Sequence, residues 1–126
     1  SGFDLEYDEV EKNHFLPTES INTDSKDELI LSLKKNKAHF NRILNDAKEK
    51  NCRLKFVAKL ENGKASVGLK EVEKGHDFYN LKGSDNIVLF YTNRYFEQPL
   101  IVKGAGAGAD VTAAGIFADI IRIGKK

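Results

Sequence analysis

The sequence predicts an α+β domain: a mixed sheet of about four to five strands, one long amphipathic helix and an apolar helix near the C-terminal end. Three observations carry this reading. An Asn-Gly pair separates two alternating segments between residues 53 and 69. An apolar stripe recurs at helical spacing from Leu29 to Ala47. A glycine-rich stretch at 104–108 stands between a short apolar run and residues 110–123, which have almost no polar face. With 126 residues the chain has room for one domain, and 1–126 is read as a single unit.

The elements follow in order. Phe3, Leu5 and Tyr7 alternate with polar residues, a weak strand signal. Phe15-Leu16-Pro17 reads as a short extended arm, because proline fixes its own φ and biases Leu16 away from helix. Ser25 to Glu28 has the spacing of a capping box. Leu29, Leu33, Phe40, Leu44 and Ala47 then form one stripe on a helix of about six turns. Lys34, Lys35, Lys37 and Arg42 fall on the other face, where solvation explains them and a phosphate-binding patch is the alternative.

The hairpin comes next. If its turn centres on Asn62-Gly63, then Leu60 faces Ala65, Ala58 faces Val67 and Phe56 faces Leu69. A one-residue slip would scatter these apolar residues over both faces. The phase breaks at Glu71-Val72, where a bulge is expected. Residues 74–86 are turn-rich, with Gly83, Asp85 and Asn86 among the turn formers and a short edge strand expected at Phe78, Tyr79 and Leu81. Ile87 to Tyr91 reads as a strand buried on both faces, and Leu100-Ile101-Val102 as a second buried run.

Composition narrows the function classes. Twenty basic against nineteen acidic residues give a net charge of +1, which argues for neither nucleic acid nor an anionic membrane as partner. No apolar run approaches the roughly 20 residues of a membrane span. Cys52 is alone, so no internal disulfide forms; a reducing compartment, most simply the cytosol, is expected. Cys52 has no positioned histidine to activate it as a nucleophile. His14, His39 and His76 are far apart, with no metal-ligand spacing. Asp4, Glu6, Asp8, Glu9 and Glu11 read as a solvated acidic arm.

The chemistry-bearing stretch is Gly104-Ala-Gly106-Ala-Gly108-Ala-Asp110-Val-Thr112, read as strand, turn and helix. Alternate glycines let backbone amides approach a ligand without side-chain obstruction. Asp110 is the expected N-cap, and a helix N-terminus there suits an anionic or strongly polar ligand. The other reading is a tight turn with small residues for close packing. The third glycine of G-x-G-x-x-G is missing from both possible starts, since Ala109 and Val111 occupy those positions. No Gly-Lys-Ser/Thr is present either. Tyr91 and Tyr95, four apart near this segment, are assigned to packing. The helix that follows is apolar all round and needs more protein around it than the rest of this chain provides.

Gly104 to Asp119, preceded by Phe90-Tyr91, Tyr95 and Pro99-Leu100, resembles the C-terminal part of the catalytic region of homoserine dehydrogenase. It is most like the form fused to aspartate kinase in bifunctional enzymes. Similarity extends back through the hairpin, where Arg53-Leu-Lys-Phe-Val resembles a strand of that family. The resemblance implies NAD(P)-dependent interconversion of L-aspartate 4-semialdehyde and L-homoserine, in threonine and methionine biosynthesis. It implies a truncated substrate and dimerisation domain of an α/β dehydrogenase, homodimeric through its sheet, with the terminal helix returning to a nucleotide-binding domain. Its glycine turn approaches the cofactor, NADP or NAD, which makes Gly108 the first expected contact, Gly106 and Gly104 supporting ones, and Thr112 a fourth.

The family's nucleotide fingerprint and its Asp-Asp-Leu-x-Gly-x-Asp-x-x-Arg-Lys segment are absent from this sequence. No lysine here inherits the proton-transfer role by motif, Lys103 included, so no catalytic residue is assigned. The chain looks like the last third of the enzyme and is expected to be inactive alone. Its missing partners are a Rossmann domain and a kinase domain, the latter suggested by the ending at Gly124-Lys-Lys. The competing expectation is a stand-alone module that binds a small anion or nucleotide.

Overall fold

The computed structural model describes residues 2–125. Its helices and strands divide between two compact units, Ser1–Tyr79 and Asn80–Lys126.

The first unit is built around a hairpin of β2 (Arg53–Glu61) and β3 (Lys64–Val72). Its register is the expected one, with Leu60 opposite Ala65, Ala58 opposite Val67 and Phe56 opposite Leu69. Asn62 (φ 50°) and Gly63 (φ 75°) both take left-handed conformations. That geometry matches the twist of the strands they join, and asparagine and glycine reach it at least cost. Pairing continues without a break to Arg53 opposite Val72, so the bulge expected at Glu71-Val72 does not form. The change of phase there has another cause: Val72 is buried on the face opposite Val67 and Leu69. The short strand β1 (Glu11–Asn13) joins β3 in parallel, giving the sheet order β1-β3-β2. Asn13 packs directly onto Gly68 of β3, leaving no room for a side chain at 68.

Phe3, Leu5 and Tyr7 do not form a strand. Tyr7–Glu9 is a single 3-10 turn, closed by the Glu6 amide donating to the Glu9 carboxylate at 2.8 Å. Lys12 then lies 3.6 Å from the Tyr7 ring centre. After the Phe15-Leu16-Pro17 arm a short helix, α1 (Thr18–Ile21), follows.

The expected six-turn helix is two helices, α2 (Lys26–Lys35) and α3 (Lys37–Glu49). They meet at Asn36, whose backbone (φ −91°, ψ 21°) leaves the helical well. Its carboxamide donates to the Ser32 carbonyl at 3.0 Å and to Glu19 of α1 at 2.6 Å, a side-chain competition that bends helices. Ser25 caps α2 by accepting from the Glu28 amide at 3.2 Å. The Glu28 carboxylate reaches back to the Asp24 amide rather than to Ser25. Along the stripe, Leu29, Leu33 and Phe40 are half-buried, Ala47 is 1% exposed, and Leu44 is exposed. His39 donates from Nε2 to the Phe15 carbonyl at 2.9 Å and holds the arm against α3. Lys34, Lys35, Lys37 and Arg42 are exposed.

Residues 76–80 form turns, not the expected edge strand. The Tyr79 amide bonds to the His76 carbonyl at 2.9 Å, and Arg53 donates to the Tyr79 carbonyl at 3.0 Å with its guanidinium over the ring. Lys50, at the end of α3, is tied to Glu71 of β3 at 2.8 Å. The hydrogen bond and charge of that carboxylate raise the Lys50 ammonium above its ordinary pKa of 10.5.

The second unit consists of β4 (Asp85–Phe90), β5 (Leu100–Ala105) and α4 (Ala109–Gly124). The two strands form their own antiparallel sheet, so the five strands among the described residues lie in two sheets. Neither strand is buried on both faces. In β4, Ile87 and Leu89 are half-buried while Val88 and Phe90 are exposed. Leu100, Ile101 and Val102 of β5 are exposed. The same holds along α4, where Phe117 is 64% exposed. Two strands and one helix cannot cover each other's apolar faces completely.

Candidate functional site

The glycine stretch lies where the sequence places it, between the end of β5 and the start of α4, and its glycines are there for different reasons. Gly104 is the last but one residue of β5, paired with Asn86 of β4. Its φ is not left-handed, and a methyl group built on it would meet nothing within 4 Å. The turn therefore presents a bare backbone edge at 104.

Gly106 is pinned. Its amide donates to the Ser84 carbonyl at 2.8 Å, one step beyond the regular ladder. The Asn86 side chain lies directly over its Cα, so that a methyl group there would overlap the carboxamide. Its φ is also unexceptional, so glycine serves here for space.

Gly108 has φ 139° and ψ 150°, a conformation that only glycine adopts readily. This reverses the chain into α4, making Gly108 the N-cap in place of the expected Asp110. Asp110 instead occupies the first helical turn, where its charge complements the helix dipole. The correction is one of phase: the glycine's special backbone starts the helix before a side-chain cap is needed.

The Thr112 amide donates to the Gly108 carbonyl at 3.1 Å. The amides of Ala109, Asp110 and Val111 have no partner among the described residues. Gly104, Gly106, Gly108 and Thr112 are thus brought into one segment, with three free amides at the head of a 16-residue helix. Such a head receives a polar or anionic group. The Asp110 carboxylate beside it disfavours a second dense negative charge such as a diphosphate.

Two residues belong to this arrangement that the sequence does not point out as such: Asn86 reads only as a turn former, and Ser84 is not singled out. The Asn86–Gly104 pairing follows from the β4–β5 register, which no Asn-Gly turn announces. Lys103 extends from β5 to Asp85 of β4 at 3.5 Å, a cross-strand pair. Tyr91 and Tyr95 are at the far end of the β4–β5 ribbon, around a turn in which the Tyr95 amide donates to the Thr92 carbonyl at 3.1 Å. They are not part of the site.

Elsewhere, a groove of about 520 Å³ in the first unit is lined by Tyr7, Val10, Phe15, Leu16, Phe56 and Val67 among others. It gathers no constellation of catalytic type. Cys52 is free, with its thiol 3.6 Å from the Lys50 carbonyl. Among the described residues no three His, Cys, Asp or Glu side chains cluster to hold a metal, and no helix is long and apolar enough to cross a membrane. Asp4, Glu6, Asp8, Glu9 and Glu11 are all exposed.

Residues 2–121 match the family model for homoserine dehydrogenase. The chain is 39% identical over 125 residues to a bifunctional aspartokinase/homoserine dehydrogenase 2 of the Zea mays chloroplast, covering 98% of this chain and 14% of the relative. It is 37% identical over 112 residues to homoserine dehydrogenase of Saccharomyces cerevisiae, covering 87% of this chain and 30% of that protein. A crystal structure of a protein of unknown function from Candida auris superposes with a TM-score of 0.76 at 35% identity, over 93% of this chain and 33% of that one. The chain thus spans between about one seventh and one third of the proteins it resembles. Enzymes of this family generally use NAD(P). The match runs through the hairpin, both helical segments and the glycine turn with its helix, and the chain belongs to the homoserine dehydrogenase family.

Proposed function

We propose that the polypeptide carrying this segment interconverts L-aspartate 4-semialdehyde and L-homoserine with NADP or NAD, and that this chain supplies the turn against which the cofactor rests. The observation that carries the reading is the segment from Gly104 to Thr112, with its bare backbone edge, its glycine-only reversal at Gly108 and its three free helix amides. When bound, the nicotinamide cofactor exchanges a hydride with the substrate carbon.

This chain's own residues bind and orient. The absence of a Cβ at Gly104 and Gly108 allows close approach. The amides of Ala109 to Val111 and the Thr112 hydroxyl offer donors to polar groups of the cofactor. Nothing among the described residues is assigned a proton-transfer role at this turn, so the substrate-binding acids and the lysine of the reaction come from outside the chain. The 126 residues alone are therefore expected not to turn over.

The partners are a Rossmann domain, an aspartokinase domain of the same polypeptide and a second copy docked through the sheet. The exposed faces of α4 and β4–β5 are where more protein is wanted. The working compartment is reducing, in the simplest case the cytosol.

L-Homoserine oxidation, followed through the nicotinamide absorbance, tests the proposal. The full polypeptide should turn over and residues 1–126 alone should not. Turnover by the short chain would overturn the division of labour. Absence of turnover by the full polypeptide with either cofactor would overturn the activity. If the chain instead works alone as an anion- or nucleotide-binding module, NADP titrated into residues 1–126 will shift the amide resonances of Gly104, Gly106 and Gly108.

A further inference from the structure

We infer that Asn86 is the positioning residue of the glycine turn, holding Gly106 against β4 so that the backbone from Gly108 to Thr112 stands ready for its ligand. The inference rests on the cofactor reading above. Three features converge. The Gly106 amide is anchored to the Ser84 carbonyl at 2.8 Å. The register pairs Asn86 with Gly104, two residues before Gly106. The Asn86 carboxamide then covers the Gly106 Cα so closely that no side chain fits between them. The middle glycine thus faces its own sheet, and the two flanking glycines, with open space where a Cβ would stand, are left for the ligand. The turn has no side-chain cap on α4 to fix it, so the Ser84 and Asn86 contacts are its restraint on the strand side.

The geometry makes two substitutions equivalent. Asn86→Ala removes the cover. Gly106→Ala pushes the carboxamide aside, because the new methyl group takes its place while φ at 106 is not left-handed. In the full polypeptide each should raise the KM for the nicotinamide cofactor by about ten-fold while kcat stays within about two-fold. The double variant should be no worse than either single one, since both remove the same contact. Hydrogen exchange of the backbone from 104 to 112, read by mass spectrometry without cofactor, should quicken in all three.

An Asn86→Ala protein with wild-type exchange and wild-type cofactor KM overturns the inference. So do single effects that multiply in the double variant. If the full polypeptide does not oxidise homoserine at all, the cofactor reading fails, and the exchange measurement alone still decides whether Asn86 positions the turn.

Discussion

The hydroxyl of Ser20 in α1 lies 2.7 Å from that of Ser32 in α2, and Ser20 is 2% exposed. One hydroxyl pair, buried on the Ser20 side and half-buried at Ser32, thus joins two helices separated in sequence by the Asn22–Ser25 connection. Ser32→Ala should leave the Ser20 hydroxyl buried without its partner and cost about 1–3 kcal/mol locally. Ser20→Ala combined with Ser32→Ala should cost less than Ser32→Ala alone. Native-state hydrogen exchange of the α1 and α2 amides measures both.

Gly63→Ala should weaken the hairpin by about 1–2 kcal/mol, because φ 75° is left-handed. The added methyl group would also meet the Phe3 ring at 3.4 Å. Exchange of the β2 and β3 amides reads the loss, and Asn62→Gly should be tolerated by the same measurement.

Gly104→Ala and Gly108→Ala should separate binding from backbone strain. The first has space and an ordinary φ, so stability should change by less than about 0.5 kcal/mol while the cofactor KM rises. The second forces an L-residue to φ 139° and should cost about 1–3 kcal/mol at the turn as well as cofactor affinity. Unfolding curves together with steady-state kinetics on the full polypeptide distinguish the two.

The Lys50–Glu71 pair should make a contribution that disappears in alkali. The folded pKa of Lys50 lies above 10.5, so the pair stabilises fully below that pH and fades as pH rises through the folded value. Thermal midpoints of wild type and Lys50→Met should differ slightly at neutral pH and converge above the folded pKa. A difference that persists there would assign the effect to packing of the lysine stem.

What the sequence made legible was local. The hairpin register follows from two turn residues and a period of two, and both are written within twenty positions. The glycine turn and apolar α4 were readable for the same reason. The kink at Asn36 was not, because half of its cause is Glu19, seventeen residues upstream. The turn at Tyr79 likewise depends on Arg53, and the hold on Gly106 depends on Asn86. Each of these is a pairing between segments that no single window displays. The apolar runs at 87–91 and 100–102 read as buried, and the structure leaves them partly bare, since the two strands and one helix of their unit do not cover each other's apolar faces.

Strand β1 contacts β3 in parallel, with Lys12 opposite Val67, about 55 residues apart in sequence. The β2–β3 hairpin needs only a two-residue loop and can close within about 1–10 μs. The β1 pairing must wait until β3 exists and the three helices between β1 and the hairpin have compacted, since its loop entropy is recovered only then. The topology therefore predicts an order of assembly for this sheet: the local hairpin forms first, and β1, seated over Gly68, closes onto it afterwards. A bulkier residue at 68, opposite Val57 within the hairpin and beneath Asn13 of β1, should hinder that later closure far more than it changes the hairpin itself.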